Sequence, residues 1–366
     1  MKPLNVITPG DTSGVIRSLR AALAGGDSVC VSADPVSDGL VPDDCALVVL
    51  TSGSTANPKQ VTLSANALVA SARATAEAIG IGRWVLALPL TYIAGLMVVV
   101  RSIESGTELV SYYESTFDPE SFVTLVNALP EDTWFTSLVP AQLARLVDHA
   151  EASEDSVAAL TKFRAILVGG QAIPTGLVDR ATALGANVIR TYGSAETAGG
   201  VVYDGKPIGD TELRIPEDGV LEIRSSSLAN GYLGDDIRTR ETFVNGWYRT
   251  SDIAHLDNGR LVIDGRVDDI IVTGGVKVSL ADIERVLAAR GISAVASWYP
   301  DDQWGQVPAL VSTDNLDRDE VRAIIAGELG KAARPYRIVL VETVPMLSSG
   351  KVDRAAVREI VLNSRP

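Results

Sequence analysis

Leu50-Thr51-Ser52-Gly53-Ser54-Thr55-Ala56-Asn57-Pro58-Lys59 is the stretch on which the reading of this chain turns. The apolar run Cys45 to Leu50 ahead of it reads as a buried strand. The Ala-rich run Ser64 to Gly80 behind it reads as a helix with Ser64 as N-cap. Residues 51–59 hold four hydroxyls, one Gly, one Pro and one Lys. A loop of that composition, placed between strand and helix, can point backbone N–H groups, hydroxyls and an ammonium at a polyphosphate. It is not the Walker arrangement, in which a Gly precedes the Lys and a Ser or Thr follows it. Alone it is equally a polar surface turn, so the rest of the chain has to decide.

A chain of 366 residues has room for two or three domains, and its 46% hydrophobic and 21% charged content is ordinary for a globular protein. A net charge of −14 argues against nucleic acid or an anionic membrane as partner. Anionic ligands would have to be held by local N–H groups and a few placed cations. Cys30 and Cys45 stand beside apolar residues without paired spacing and read as buried reduced thiols. His149 and His255 are far apart and share no partner pattern, which supports neither zinc nor a histidine triad. Met1 to Gly14 lacks the basic start and apolar core of a targeting signal. The longest apolar stretch, around Ile93 to Val100, is too short to span a bilayer. The expected location is cytoplasmic.

Along the chain, apolar strands alternate with helical patterns as far as Asn187–Arg190, which indicates an α/β domain with a mostly parallel sheet. Ligands in such sheets sit beyond the carboxyl ends of the strands. Three polar segments, 51–59, 169–171 and 191–197, each follow a predicted strand, which favours the phosphate reading of the first. From Gly205 short strands with turns predict a small antiparallel β unit. Gly265-Arg266-Val267-Asp268-Asp269 is the expected boundary. Beyond it, Ser279 caps a helix to Arg290 with Asp282 at the capping-box position, and a helix over Arg318–Leu329 helps complete a small α+β domain.

These pieces, in this order, resemble the adenylate-forming superfamily of acyl- and aryl-CoA ligases, from about Leu50 to Arg354. Singly, Asp252 is a turn residue, Glu196 a helix-start acid and Lys351 a solvated charge; the joint order carries the resemblance. It implies a large ATP- and acyl-binding domain over 1–267 and a small mobile C-terminal domain over 268–366, with Asp268 as hinge. It implies that Thr51, Ser52, Gly53, Ser54, Thr55 and Lys59 face the β- and γ-phosphates, and that Thr55 and Glu196 hold Mg²⁺. Gly169, Gly170 and Gln171 would line the adenine pocket, and Tyr192 in Thr191-Tyr192-Gly193-Ser194-Ala195-Glu196 would stack on the adenine. Asp252 in Tyr248-Arg249-Thr250-Ser251-Asp252 and Arg266 would bind the ribose, and Lys351 would be the catalytic lysine, acting with Glu196 and Thr55. The implied ligands are ATP, Mg²⁺, coenzyme A and a small carboxylate.

Within the superfamily, Leu88-Pro89-Leu90-Thr91-Tyr92-Ile93-Ala94-Gly95-Leu96 followed by Arg101-Ser102 resembles the o-succinylbenzoate–CoA ligases of menaquinone biosynthesis. Thr273-Gly274-Gly275-Val276-Lys277-Val278 and the short stretch before the phosphate loop are similar to the actinobacterial form. The resemblance implies an acyl pocket at Thr91, Tyr92 and Gly95, and makes Arg101 a candidate for a second carboxylate, its alternative being a surface Arg at a helix end. It places a CoA face at Gly274, Gly275 and Lys277. The chain departs from the family pattern at Ala56, Gln60, Thr91 and Ala195; Ser194 or Thr197 would have to supply the hydroxyl that Ala195 lacks. Another carboxylate, a carrier-protein acceptor or a non-catalytic nucleotide-binding protein are the alternatives. The oligomeric state, a homo-oligomer included, stays open.

Overall fold

The computed structural model describes residues 1–33, 36, 39–51, 59–112, 116–174, 176–347 and 352–364. Its first correction concerns the opening stretch. The strand Cys45–Thr51 is followed by a second strand, Lys59–Ser64, paired antiparallel to it with Thr51 opposite Lys59. The helix Ala65–Ile79 begins only after that strand, capped as expected by Ser64, whose Oγ accepts from the Ala67 N–H at 3.1 Å. The segment therefore joins two strands, not a strand and a helix. The helix N-terminus lies one six-residue strand, about 20 Å, from Lys59, and its dipole falls off within the first turn. The period-2 signal was short: Val61 and Leu63 are buried, and the Ala-rich run that follows hides them in a helical pattern.

The chain divides into two compact units: Met1–Arg214, Glu222–Arg249 and Asn258–Leu261 in the first, and Ile215–Leu221, Thr250–Asp257 and Val262–Pro366 in the second. The first holds a six-stranded sheet in the order Gly231–Tyr232, Lys59–Ser64, Cys45–Thr51, Ser28–Val31, Lys2–Ile7, Leu40–Val41. It also holds a seven-stranded sheet in the order Lys206–Pro207, Gly199–Tyr203, Val188–Ser194, Phe163–Gly169, Trp134–Leu138, Arg83–Leu86, Leu109–Ser111. The last five of these run parallel to one another, the α/β architecture expected.

Side-chain alternation along these strands gives each face its own core. Trp84, Leu86, Ala165 and Leu167 face a cluster with the helices Thr12–Leu23, Ala65–Ile79 and Ile93–Ser105 and with Leu47, Val49, Val61 and Leu63 of the other sheet. Val85, Ile166 and Val168 face a second cluster under Pro119–Asn127, Pro140–Ala150, Glu154–Lys162 and Leu177–Ala183. Ile93–Ser105 is buried on all sides from Gly95 to Ser102, which explains its uninterrupted apolar run, and Gly106 ends it at φ 64°. Cys30 and Cys45 are buried free thiols, and burial followed by the proximity of Cys45 pushes Cys30 up to about 11.

The antiparallel strands begin earlier than expected. Gly199–Tyr203 already runs against Val188–Ser194, so Thr191, Tyr192, Gly193 and Ser194 are strand residues and not a loop. A third sheet has the order Glu212–Arg214, Val220–Arg224, Trp247–Asp257, Phe243–Val244, with Arg260–Arg266 beside Trp247–Asp257. In the second unit Val276–Ser279, Ile270–Thr273, Gly305–Ser312 and Val295–Asp301 form a sheet with Arg337–Leu340 parallel to Gly305–Ser312. Leu280–Ala288 and Arg318–Leu329 pack with Ile271, Ala296 and Leu310, and Arg354–Asn363 packs with Ala309 and Val311. Ser279 caps its helix by accepting from the Asp282 N–H at 3.1 Å, but the Asp282 carboxylate pairs with Arg285 and does not close a capping box. Among the described residues no helix is long and apolar enough to cross a membrane.

Candidate active site

In the first unit Phe163–Gly169 ends beside Val188–Ser194, the strand that leads into the turn Ala195–Thr197. Gly169 stands opposite Thr191 on the neighbouring parallel strand, and a Cβ there would lie 2.3 Å from Thr191 Oγ1. Glycine is required by that approach, which joins the segment predicted to line an adenine pocket to Thr191 and Tyr192. Gly193 is constrained more severely, since a Cβ would meet the Gly199 carbonyl oxygen at 1.9 Å, and the strand is bulged between Tyr192 and Gly193.

The next residues form a single 3₁₀ turn, Ala195–Thr197, tied from several sides. Thr197 Oγ1 accepts from the Ser194 N–H at 2.8 Å and donates to the Gly199 carbonyl at 2.7 Å. Ala198 is held in the left-handed region at φ 50°, unfavourable for a residue with a Cβ, and Ser71 Oγ donates to its carbonyl at 2.7 Å. The Ala229 N–H donates to the Glu196 carbonyl at 2.8 Å. Glu196 is thus fixed in backbone and buried to 6% exposure. One carboxylate oxygen accepts the Tyr232 hydroxyl at 3.0 Å, and no cation pairs with Glu196 among the described residues. Lys59, at the start of its strand, carries its ammonium 5.4 Å from the centre of the same tyrosine ring.

Ser194 Oγ is buried without a hydrogen-bond partner among the described residues, whereas Thr197 Oγ1 is fully engaged. Of the two hydroxyls offered in place of the one missing at Ala195, only Ser194 is free to serve.

Arg101 is not a surface residue at a helix end. It is buried to 6% exposure, its guanidinium lies 5.2 Å from the centre of the Trp84 ring, and its Nε has no partner among the described residues. Burial pushes its pKa down. A Cβ on Gly199 would lie 3.9 Å from its Nη2, which places the guanidinium beside the turn that carries Glu196. A buried cation without a counter-charge costs several kcal/mol unless an anion joins it. Ser137, at the end of Trp134–Leu138, is a second buried hydroxyl without a partner among the described residues. Thr91 and Tyr92 precede Ile93–Ser105, and Gly95 lets that helix pass the Pro89 carbonyl, which a Cβ would meet at 2.3 Å.

In the second unit Asp252 accepts from Arg266 Nη1 at 3.1 Å, and Arg266 Nη2 reaches Asp268 at 3.3 Å. Burial acts to lower Arg266, but the charges of Asp252, Asp268 and Asp269 outweigh it and raise its pKa. Asp252 keeps its backbone in place through its N–H on Thr250 Oγ1 at 3.0 Å. Gly274 and Gly275, at φ 55° and 82°, turn the hairpin between Ile270–Thr273 and Val276–Ser279 and leave Lys277 exposed. Gly274 donates to the Trp304 carbonyl at 2.8 Å.

Of the predicted site residues, Ser52, Gly53, Ser54, Thr55 and Lys351 lie outside the described residues, as does Ala56. Those brought together are Gly169 with Thr191, Lys59 with Glu196 through Tyr232, and Asp252 with Arg266 and Asp268. Tyr232 and Ser137 escaped the sequence reading. Tyr232 stands 36 positions from the carboxylate it holds, and no local spacing signals that contact. Among the described residues no three His, Cys, Asp or Glu side chains group to hold a metal ion.

The family model described as AMP-binding enzyme matches residues 11–233. The chain is 36% identical over 377 residues to a probable 2-succinylbenzoate–CoA ligase of Mycobacterium tuberculosis, covering 97% of each chain. It is 29% identical over 337 residues to the 2-succinylbenzoate–CoA ligase of Listeria monocytogenes, covering 86% of this chain and 70% of the relative. The fold is similar to that of the o-succinylbenzoate CoA synthetase of Bacillus subtilis solved with the acyl-adenylate intermediate OSB-AMP, with a TM-score of 0.78 and 24% identity over 99% of this chain and 83% of that one.

Proposed function

The chain belongs to the AMP-binding enzyme family, and from that premise we propose that it activates o-succinylbenzoate with ATP and transfers the acyl group to coenzyme A. A substrate carboxylate oxygen bonds to the α-phosphorus while the bond to pyrophosphate breaks. The thiol sulfur of CoA then bonds to the acyl carbonyl carbon, losing its proton, and AMP leaves. The products are o-succinylbenzoyl-CoA, AMP and pyrophosphate, as menaquinone biosynthesis in the cytoplasm requires.

The observation that carries this reading is Arg101, a buried guanidinium with no counter-ion among the described residues, set beside the turn of Glu196. A dicarboxylate brings one carboxylate to react and a second to pair with such a cation. Ser137 joins Thr91, Tyr92 and Gly95 as a further hydroxyl for that pocket. The identity to the mycobacterial relative, running the length of both chains, supports the same substrate.

The remaining roles follow from chemistry. Thr51, Ser52, Gly53, Ser54, Thr55 and Lys59 grip the β- and γ-phosphates, the stretch now connecting two paired strands. Gly169, Gly170, Gln171, Thr191, Tyr192 and Gly193 receive the adenine. Ser194 contacts the α-phosphate in place of the missing hydroxyl at Ala195. Asp252, aligned by Arg266, accepts from the ribose hydroxyls. Glu196 fits Mg²⁺: it is buried, has one described donor and no described counter-cation, and a cation that keeps phosphate oxygens and waters needs few protein ligands. Glu196 and Thr55 would hold it. When bound, Mg²⁺ offsets the charge on the phosphates. Residues 268–366 form a mobile domain that turns about Asp268, withdrawing Lys351 and presenting Gly274, Gly275 and Lys277 to CoA.

AMP release across aromatic and aliphatic acids, with and without CoA, tests the reading. O-succinylbenzoate is expected to be preferred at least 10-fold in kcat/KM. Equal or better use of benzoate or a fatty acid removes the substrate assignment. Arg101→Met is expected to raise KM for o-succinylbenzoate about 10- to 100-fold, the scale of a lost hydrogen bond to a charged group. Turnover of slow monocarboxylates should be little changed, and the unfolding midpoint should hold or rise, because a buried unpaired charge is removed. A uniform loss across acids would make Arg101 structural.

A further inference from the structure

We infer that Tyr232 is a positioning residue that couples the phosphate-side lysine to the metal-side carboxylate, an inference that rests on the adenylation reading. Its hydroxyl donates to Glu196 Oε1 at 3.0 Å, and the ammonium of Lys59 lies 5.4 Å from the centre of its ring. One buried side chain therefore touches a residue assigned to the β- and γ-phosphates and a residue assigned to the metal, from a part of the chain distant from both.

The local structure makes Tyr232 fit to set positions. Gly231 and Tyr232 add a short strand to Lys59–Ser64, with Tyr232 opposite Val61. The Tyr232 N–H donates to Thr239 Oγ1 at 2.9 Å, and Gly231 stands at φ 142°, where a Cβ would meet Thr239 Cγ2 at 2.3 Å. Leu233 N–H donates to the Gln60 carbonyl at 2.8 Å, locking the register one residue after Lys59. The ring is tilted 58° against Phe243 at 5.9 Å, and Phe243 stacks on Tyr248 at 5.3 Å. Backbone, ring and hydroxyl are each held separately, so the phenol has one direction to point.

Two consequences follow for the site. First, the phenol occupies one carboxylate oxygen of Glu196 and leaves the other for a cation. Donors of this kind around a metal ligand fix its orientation and govern affinity by about 10- to 100-fold. The hydroxyl lies 3.0 Å from Oε1, and beside an ionised carboxylate, which only accepts, it is the donor of the pair. Second, the electron-rich ring face holds the Lys59 ammonium without neutralising it, as a carboxylate would, and its charge stays available to an anion. Arg238 lies 6.0 Å from the ring centre, so two cations and one carboxylate surround the same aromatic.

The test is calorimetric binding of ATP to the full-length chain, with Mg²⁺ and separately with the metal removed by a chelator, in the absence of any carboxylate substrate. Tyr232→Phe keeps the ring and loses the hydrogen bond. It is expected to weaken Mg·ATP about 10-fold while leaving metal-free ATP within 2-fold. Tyr232→Leu also removes the ring and is expected to weaken metal-free ATP several-fold as well. In a Glu196→Gln background the Tyr232→Phe change should add less than 2-fold, because its effect passes through the carboxylate. Unchanged Mg·ATP affinity in Tyr232→Phe overturns the inference, as does an equal further loss in the double variant. So does a Tyr232→Phe chain that fails to fold, since that makes the hydroxyl a packing requirement. If the parent chain itself binds no Mg·ATP, the adenylation reading fails and not this coupling alone.

Discussion

Lys351→Ala is expected to slow formation of the acyl-adenylate by about 10²–10³-fold while leaving the reaction of preformed adenylate with CoA within a few-fold of the parent. The step we propose it serves brings a carboxylate up to a triphosphate, so like charges must approach. A positioned ammonium is worth roughly 3–4 kcal/mol there, by the scale of single electrostatic donors in closed sites. Thioester formation attacks a carbonyl whose leaving group is already in place and has no such repulsion to overcome. The lysine lies outside the described residues, but its flanks are well held. Met346 and Val352 pair as an antiparallel bridge, the Asp353 N–H donates to the Pro345 carbonyl at 2.9 Å, and Asp353 caps the last helix through the Ala356 N–H at 3.0 Å. The substitution should therefore cost little stability. ATP–pyrophosphate exchange and single-turnover thioester formation, measured separately, resolve the two steps. Exchange at the parent rate would take the catalytic role away from Lys351.

Glu196→Gln should lower the adenylation rate on the order of 10²–10³-fold and move half-saturation with Mg²⁺ to higher concentration. Glutamine preserves the volume and can still accept the Tyr232 hydrogen bond, so charge is what the substitution removes. Glu196 is buried and meets no cation among the described residues, an arrangement that opposes folding. Its loss should accordingly leave the unfolding midpoint unchanged or raised. This opposition of stability and activity separates a ligand-binding carboxylate from a structural one. A variant that is both less stable and normally Mg²⁺-dependent would show that Glu196 serves the fold.

The comparison of sequence with structure divides along the range of the interactions involved. Ser64 and Ser279 as caps and the alternating strands and helices were legible, because each depends on neighbours within about one turn or one strand. The strand Lys59–Ser64 was not. Its two buried apolar positions, Val61 and Leu63, satisfy a pleat only when Cys45–Thr51 lies alongside, and pairing between strands leaves little trace in composition. The same reason applies to Thr191–Ser194, whose glycine and hydroxyls look like a loop until Gly199–Tyr203 runs against them.

For the site, the sequence by itself determined the inventory: a hydroxyl-rich stretch ending in Lys59, the Thr191–Glu196 segment, Asp252, Arg266 and Lys351, in an order that identifies a family and its chemistry. The tertiary structure alone decided the state of those residues. It decided between the two readings of Arg101, as a buried cation lacking a described counter-ion and not a surface charge, singled out Ser194 over Thr197 as the free hydroxyl, and put Tyr232 against both Lys59 and Glu196. Burial and hydrogen-bond occupancy are sums over neighbours from distant parts of the chain. A residue's type states what it is able to do, and only the packed fold states which of its atoms are left to do it.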